Sequence, residues 1–373
     1  DYTGGDTTGN LTKLADKRVG VIGTGATAIQ CVPHLGRDAA RLYVFQRTPS
    51  TVDVRENALT EPGYAVESEP GWQRRRMDNF NILMSGGQQK KDLVGDRWTE
   101  LTRGLYETLA ALPNASELGV QEFALIAEQV DLAKMNRVRG RVDEIVEDPA
   151  TAEALKPWYR YFCKRPCFHD EYLQTFNRPN VTLVDTDGKG VDEITRRGVV
   201  ANGREYPLDC LIFATGFDVS NNYTRRVGYE VVGRGGQKLG EKWAERTTTF
   251  QGFFTRGFPN CFFMMGLQSG LSPNIPHSID EQSRHLAYVI REALDRGATT
   301  VEPSQQAENE WGALIDRGGA FVQLQTSCTP GYFNDEGKVG VESQGWLAGF
   351  YPEGSEAFFA LIRDWRASGK LDG

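Results

Sequence analysis

Three stretches of the 373-residue chain predict an α/β fold built on a parallel sheet. The apolar run Arg18-Val19-Gly20-Val21-Ile22 leads into Gly23-Thr24-Gly25-Ala26-Thr27-Ala28 and then into a helical segment, Ile29 to Leu35. A second strand follows at Arg41-Leu42-Tyr43-Val44-Phe45, completing a β-α-β unit. Much later, Asp209-Cys210-Leu211-Ile212-Phe213 reads as a buried parallel strand ending in the turn Ala214-Thr215-Gly216-Phe217-Asp218.

The residue types of the first turn suit a dinucleotide pyrophosphate. Gly23 permits a tight strand-to-helix turn, and Gly25 lets the ligand approach backbone N–H groups at the positive helix end. Ala28 fills the third position, where a small side chain allows close packing of helix and strand. Thr24, Ala26 and Thr27 complete the loop, and Gln30 stands about one turn further on, where it would help to position the cofactor. At the end of the second strand an acidic residue would accept a hydrogen bond from the ribose of NAD. Gln46-Arg47-Thr48 stands there instead. A carboxylate would repel a 2′-phosphate, whereas the Arg47 guanidinium can bind one through paired charge-assisted hydrogen bonds, with Thr48 as a further donor. The expectation is NADPH.

Beyond this unit, residues 55 to 157 read as a helical insertion. Trp98, Leu101, Leu105, Leu109 and Leu112 share one predicted buried face, and Phe123, Ile126 and Val130 share another. Arg74-Arg75-Arg76 and the alternation Arg137, Arg139, Arg141 read as solvated helix faces. Strand signals return at Val181 to Asp185, at Gly198 to Val200 with a hairpin partner near Tyr206, and around residue 262. A helix is expected from about Ser278 to Arg296, then another helix and a strand between Trp311 and Gln325. Thr215 and Gly216 end the late strand at its carboxyl end, where open α/β sheets place their ligands.

Composition narrows the function classes. A formal charge of −8 argues against a nucleic-acid surface, which needs a basic face. No segment approaches the roughly 18 apolar residues of a membrane span. Six scattered cysteines lack paired zinc-ligand spacing and are too sparse for a disulfide scaffold, so no metal is expected and a reducing cytoplasm is the default. His169 and His277 stand alone, and each reads as a structural residue rather than a general base.

Taken together, the Gly-Thr-Gly-Ala-Thr-Ala turn with Phe45-Gln46-Arg47-Thr48-Pro49, Phe162-Cys163-Lys164-Arg165-Pro166, and Leu211 to Asp218 resemble the Baeyer–Villiger monooxygenases. Phe176-Asn177-Arg178-Pro179-Asn180-Val181 and Ser278-Ile279-Asp280-Glu281-Gln282 extend the similarity along nearly the whole chain. The resemblance implies FAD and NADPH in adjacent domains. It also implies oxidation of a small-molecule ketone, bulky or cyclic, to an ester or lactone with O2 through a flavin peroxide. Arg165 is then the catalytic guanidinium that stabilises the peroxide's negative charge, and Lys164 joins Arg47 at the 2′-phosphate. Asp218 becomes a hinge or flavin-side residue. The loop from Gln268 to Asn274 would present a helix N-terminus to the flavin, with Asn274 a cofactor contact. Ser269, Gly270 and Leu271 would line the substrate pocket, and Tyr332 would take over part of the role of a mobile-loop Trp.

One departure from that pattern shapes the expected domains. The family's FAD fingerprint precedes its NADPH fingerprint, and no second Gly-x-Gly-x-x-Gly or Gly-x-Gly-x-x-Ala follows a strand here. The expectation is therefore a member lacking an N-terminal FAD segment, which could itself be a partner. Residues 1–16 would be a linker, 17–54 and 158–218 the two parts of the NADPH domain, 55–157 the insertion, and 219–373 the C-terminal part of an FAD-type dinucleotide-binding domain. Two other readings stay open: a flavin monooxygenase hydroxylating an amine or sulfide, and a catalytically silent NADPH-binding fragment.

Overall fold

The computed structural model describes residues 9–57, 59, 62–63, 69–113, 119–217, 223–264, 267–270, 272–318, 325–338 and 349–371. It divides into two compact units: residues 1–62 with 104–217, and residues 63–103 with 218–373. Helices of the 55–157 stretch are thus shared between the units, the division falling inside the helix Arg97–Ala110.

In the first unit four strands form a parallel sheet: β1 (Arg18–Ile22), β2 (Arg41–Gln46), β5 (Val181–Asp185) and β9 (Cys210–Phe213), in the order β5-β2-β1-β9. Register pairs Val21 with Val44 on one side and with Ile212 on the other. Both faces are covered, so inner strands read as apolar runs: Val19, Val21, Leu42 and Val44 are fully buried. The helix Ala28–Asp38 packs Ile29, Val32 and Leu35 into that core, beside Leu173 and Phe176. Each such side chain contributes about 1.5–3 kcal/mol by leaving water. A short parallel pair joins β3 (Val52–Asp53) to β4 (Cys167–Phe168). The predicted hairpin is present as an antiparallel ribbon of β6 (Glu193–Ile194), β7 (Gly198–Ala201) and β8 (Arg204–Pro207).

The helix Val120–Ile145 departs from expectation at both ends. Phe123, placed on a buried face by its periodicity, is 44% exposed, and Leu125 and Leu132 are exposed with it. Periodicity specifies a face but not whether anything stands against it. Burial begins at Lys134 and Met135; Arg137 stays exposed as expected, whereas Arg139 and Arg141 are structural. Arg139 is buried and donates to the Pro157 carbonyl at 3.0 Å, while Arg141 donates to the carbonyls of Val52 and His169. Lys134 is buried against Asp53, with Arg137 Nη2 3.5 Å from the same carboxylate. Burial opposes the charged Asp53 carboxyl, yet the Lys134 ammonium still holds it below its ordinary pKa.

The second unit is mostly helical around an aromatic core of Phe253, Phe254, Trp311, Tyr351, Phe358 and Phe359. Around residue 262 the predicted strand is absent. Cys261 to Met264 is irregular, and its apolar character is satisfied by Phe263 packing on Trp243 and Tyr223 at 5.0 and 5.1 Å between ring centroids. The helix expected near Trp311 runs Gln305–Asp316, and the strand expected after it falls outside the described residues. The helix Ile275–Asp295 carries a polar buried stripe, His277, Glu281 and His285. Glu281 is held by Arg74, which also reaches Asp280 and Asp78, so this arginine too is structural rather than solvated. No described helix is long and apolar enough to cross a membrane.

Candidate functional site

The carboxyl ends of β1, β2 and β9 bring the fingerprint residues of the first unit to one edge. Strand β1 is followed at once by Gly23, whose N–H donates to the Phe45 carbonyl at 2.9 Å. Its φ of +110° lies where only glycine is comfortable, and a Cβ would stand 2.4 Å from the Ala214 carbonyl oxygen. The turn is therefore wedged between β2 and β9. At Gly25 an added Cβ would meet nothing within 4 Å, which leaves open space over the backbone N–H groups at the start of the helix Ala28–Asp38. A pyrophosphate fits that cradle. Ala26 is partly buried, Thr27 exposed and Ala28 fully buried. The exposed Gln30 amide is tied back to the Ala26 carbonyl at 2.7 Å.

Thr24 is buried and its hydroxyl donates to the Thr48 carbonyl at 2.9 Å, so the glycine turn and the β2 exit are one piece. Gln46 turns inward, donating to the Ala154 carbonyl at 2.7 Å and leaving the edge to Arg47, which is exposed. Across the edge, Thr215 and Gly216 are exposed, flanked by Phe213 and Phe217 at 61% and 83% exposure.

Lys164 and Arg165 lie between a turn at Tyr161–Cys163 and β4. Lys164 is partly buried with its ammonium 5.5 Å from the centre of the Tyr159 ring, while Arg165 is exposed. The Asp131 carboxylate accepts from the Tyr161 N–H at 3.0 Å, which ties this turn to the long helix. Sequence reasoning passed over Tyr159, whose hydroxyl reaches the Pro49–Thr51 segment; an aromatic in a loop carries no signal until its partners are known. His169 has a structural bond, its Nδ1 accepting from the Glu171 N–H at 3.0 Å. Among the described residues no cluster of His, Cys, Asp or Glu could hold a metal ion.

In the second unit the expected pocket residues carry structural duties. Ser269 is buried, its carbonyl accepts from Tyr351 and its hydroxyl has no hydrogen-bond partner. A Cβ on Gly270 would stand 2.5 Å from that of Phe358. The helix begins at Ile275 rather than near Ser278, because the Asn274 side chain accepts from the His277 N–H and Pro276 needs no partner in the first turn. Ser278 instead accepts from the Ser272 N–H at 3.1 Å. Tyr332 is partly buried and packs on Phe333. His277 is a packed residue, edge-on to Phe359 at 5.4 Å, and its burial lowers its pKa. Asp218 and Leu271 lie outside the described residues.

A parallel sheet with a glycine turn at its switch point and cations flanking the strand ends defines a Rossmann-type dinucleotide fold. No family model matches the chain. It is 53% identical to the pentalenolactone D synthase of Streptomyces arenae, covering 100% of this chain and 63% of that protein. It is 48% identical to a Baeyer–Villiger monooxygenase of Stachybotrys chlorohalonatus, covering 100% and 60% respectively. A solved polycyclic ketone monooxygenase of Thermothelomyces thermophila superposes with a TM-score of 0.87 at 38% identity, over 100% of this chain and 61% of that one. The chain belongs to the Baeyer–Villiger monooxygenase family and spans about three-fifths of the length of these relatives.

Proposed function

We propose that this chain serves an NADPH- and FAD-dependent Baeyer–Villiger monooxygenase that oxidises a bulky or cyclic ketone to an ester or lactone. The reaction balances as ketone, NADPH, H⁺ and O2 giving ester, NADP⁺ and water. The observation that carries this reading is the sheet edge, where the space over Gly25 is open and the exposed Arg47 directly follows β2. Gly23 to Ala28 would hold the pyrophosphate through backbone N–H groups. Arg47, Thr48 and Lys164 would read the 2′-phosphate, with Gln30, Thr215 and Gly216 bounding the nucleotide. NADPH and FAD, when bound, would supply the two-electron reduction of O2. Arg165 would place a fixed positive charge where negative charge develops beside the ketone carbonyl.

For the FAD side, the described residues offer no second glycine turn after a strand, so no pyrophosphate contact is assigned to it. Asn274 at its helix start, Ser269, Gly270 and Tyr332 remain part of the proposal as flavin-side and pocket residues, as do Asp218 and Leu271. A cytoplasmic location belongs to the same reading.

The test is the absorbance spectrum of the purified chain with added FAD, followed anaerobically on adding NADPH. Bleaching of the flavin band and its return in air supports the reading. Retention of NADPH without any flavin binding would favour the silent nucleotide-binding fragment instead.

A further inference from the structure

Between the two segments that carry the candidate phosphate-reading cations stands Tyr159. Its hydroxyl donates to the Pro49 carbonyl at 2.8 Å and accepts from the Thr51 N–H at 2.9 Å. Those two bonds fix the chain directly after Arg47 and Thr48. The ring of the same residue lies under the Lys164 ammonium at 5.5 Å. Thr24 is in turn bonded to the Thr48 carbonyl, so one side chain completes a link from the glycine turn through the β2 exit to the Lys164 loop. Burial pushes the Tyr159 phenol above its ordinary range, which keeps its proton available for the Pro49 carbonyl at any working pH.

We infer that Tyr159 is the positioning residue for discrimination between NADPH and NADH: it sets the Arg47–Thr48 segment and the Lys164 ammonium at a common spacing that a 2′-phosphate spans. The inference rests on the reading of Arg47 and Lys164 given under Proposed function. It adds a residue that touches neither the phosphate nor the reacting atoms and acts through the two cations. A ring without a hydroxyl would still face Lys164 but release Pro49 and Thr51. An aliphatic side chain would lose both anchors.

The experiment is calorimetric titration of the full chain and its variants with NADPH and with NADH, alongside thermal unfolding. The quantity read is the ratio of the two dissociation constants. Tyr159→Phe is expected to lower NADPH preference about 3- to 10-fold, the size of one or two net hydrogen bonds, with NADH affinity nearly unchanged. Tyr159→Leu should lower it about 2- to 5-fold further by removing the cation–π contact. Arg47→Ala is the reference and should abolish most of the preference. Equal weakening of both nucleotides by Tyr159→Phe would show a merely structural tyrosine and overturn the inference. An unchanged ratio in Tyr159→Phe, with the ratio lost in Arg47→Ala, would overturn it while leaving the phosphate site standing. An unchanged ratio in Arg47→Ala would remove the phosphate site, and the role of Tyr159 with it.

Discussion

The sheet edge of the first unit and the start of the helix Ile275–Asp295 in the second both hold glycines, both were expected to meet cofactor, and they use their residues differently. At the edge, Gly25 faces empty space and Gly23 fits under the Ala214 carbonyl, so the backbone itself is the binding surface. At the helix start, Gly270 faces Phe358, Asn274 caps the helix, and Ser269 is buried. A site made of backbone is encoded by short-range spacing. A site made of side chains on a packed helix is decided by partners far away in sequence.

The largest expected effect tests a contact that spacing cannot reveal. Lys134→Met should leave the buried Asp53 carboxylate without its closest cation, costing about 3–5 kcal/mol in denaturant unfolding. A loss below about 1 kcal/mol would show that water or Arg137 replaces the ammonium, and that this pair is no firmer than a surface bridge.

Next in size is a pH effect confined to the second unit. His285 is fully buried, stacked on Phe253 at 5.0 Å and beside Trp365. Burial first, and then the Arg366 charge, lower its pKa from 6.5 to about 3. Below pH 6.5 the unfolded chain binds a proton that the folded chain refuses, so stability falls as pH drops toward 3, by about 1.4 kcal/mol per unit at most. Between pH 6.5 and 5 the wild type should lose roughly 1.6 kcal/mol more than His285→Phe, measured by urea unfolding. Parallel curves for the two proteins would mean that the histidine is already solvated.

Gly25→Val sharpens the contrast from the other side. With nothing within 4 Å of the new Cβ, the unfolding midpoint should stay within about 0.5 kcal/mol of wild type, after allowing for helix propensity. NADPH affinity should fall at least roughly tenfold, about 1.4 kcal/mol, because the side chain fills the cradle. Unchanged affinity would place the pyrophosphate elsewhere.

The legibility of this molecule follows the same division. Strands β1, β2, β5 and β9 were readable because each is an apolar run in a doubly covered sheet, and the glycine turn because its spacing has one geometry. The fate of Arg139 and Arg141 was not, since a charge at helical spacing looks alike whether it meets water or the Pro157, Val52 and His169 carbonyls. Phe123 failed in the opposite sense, an apolar residue at helical spacing that stays 44% exposed. The run around Phe263 lacked the turn chemistry that separates a strand from an aromatic plug.

The smallest effect bears directly on whether the helix start is a cap or a ligand site. Asn274 accepts from the His277 N–H at 3.3 Å, a long bond at the end of a 21-residue helix whose first turn also holds Pro276. Asn274→Ala should cost about 1 kcal/mol of stability, and Asn274→Asp close to nothing, because a carboxylate caps as well and favours the positive helix end. If the residue also faces an electron-rich flavin edge, the two variants should part company: Asp would keep stability but weaken FAD retention by like charge, while Ala would lose stability and keep retention. Equal FAD retention in both, with the stability difference intact, would make Asn274 a cap alone. The glycine turn and the Arg47–Thr48 exit of β2 would then be the cofactor contacts among the described residues that short-range sequence spacing makes visible.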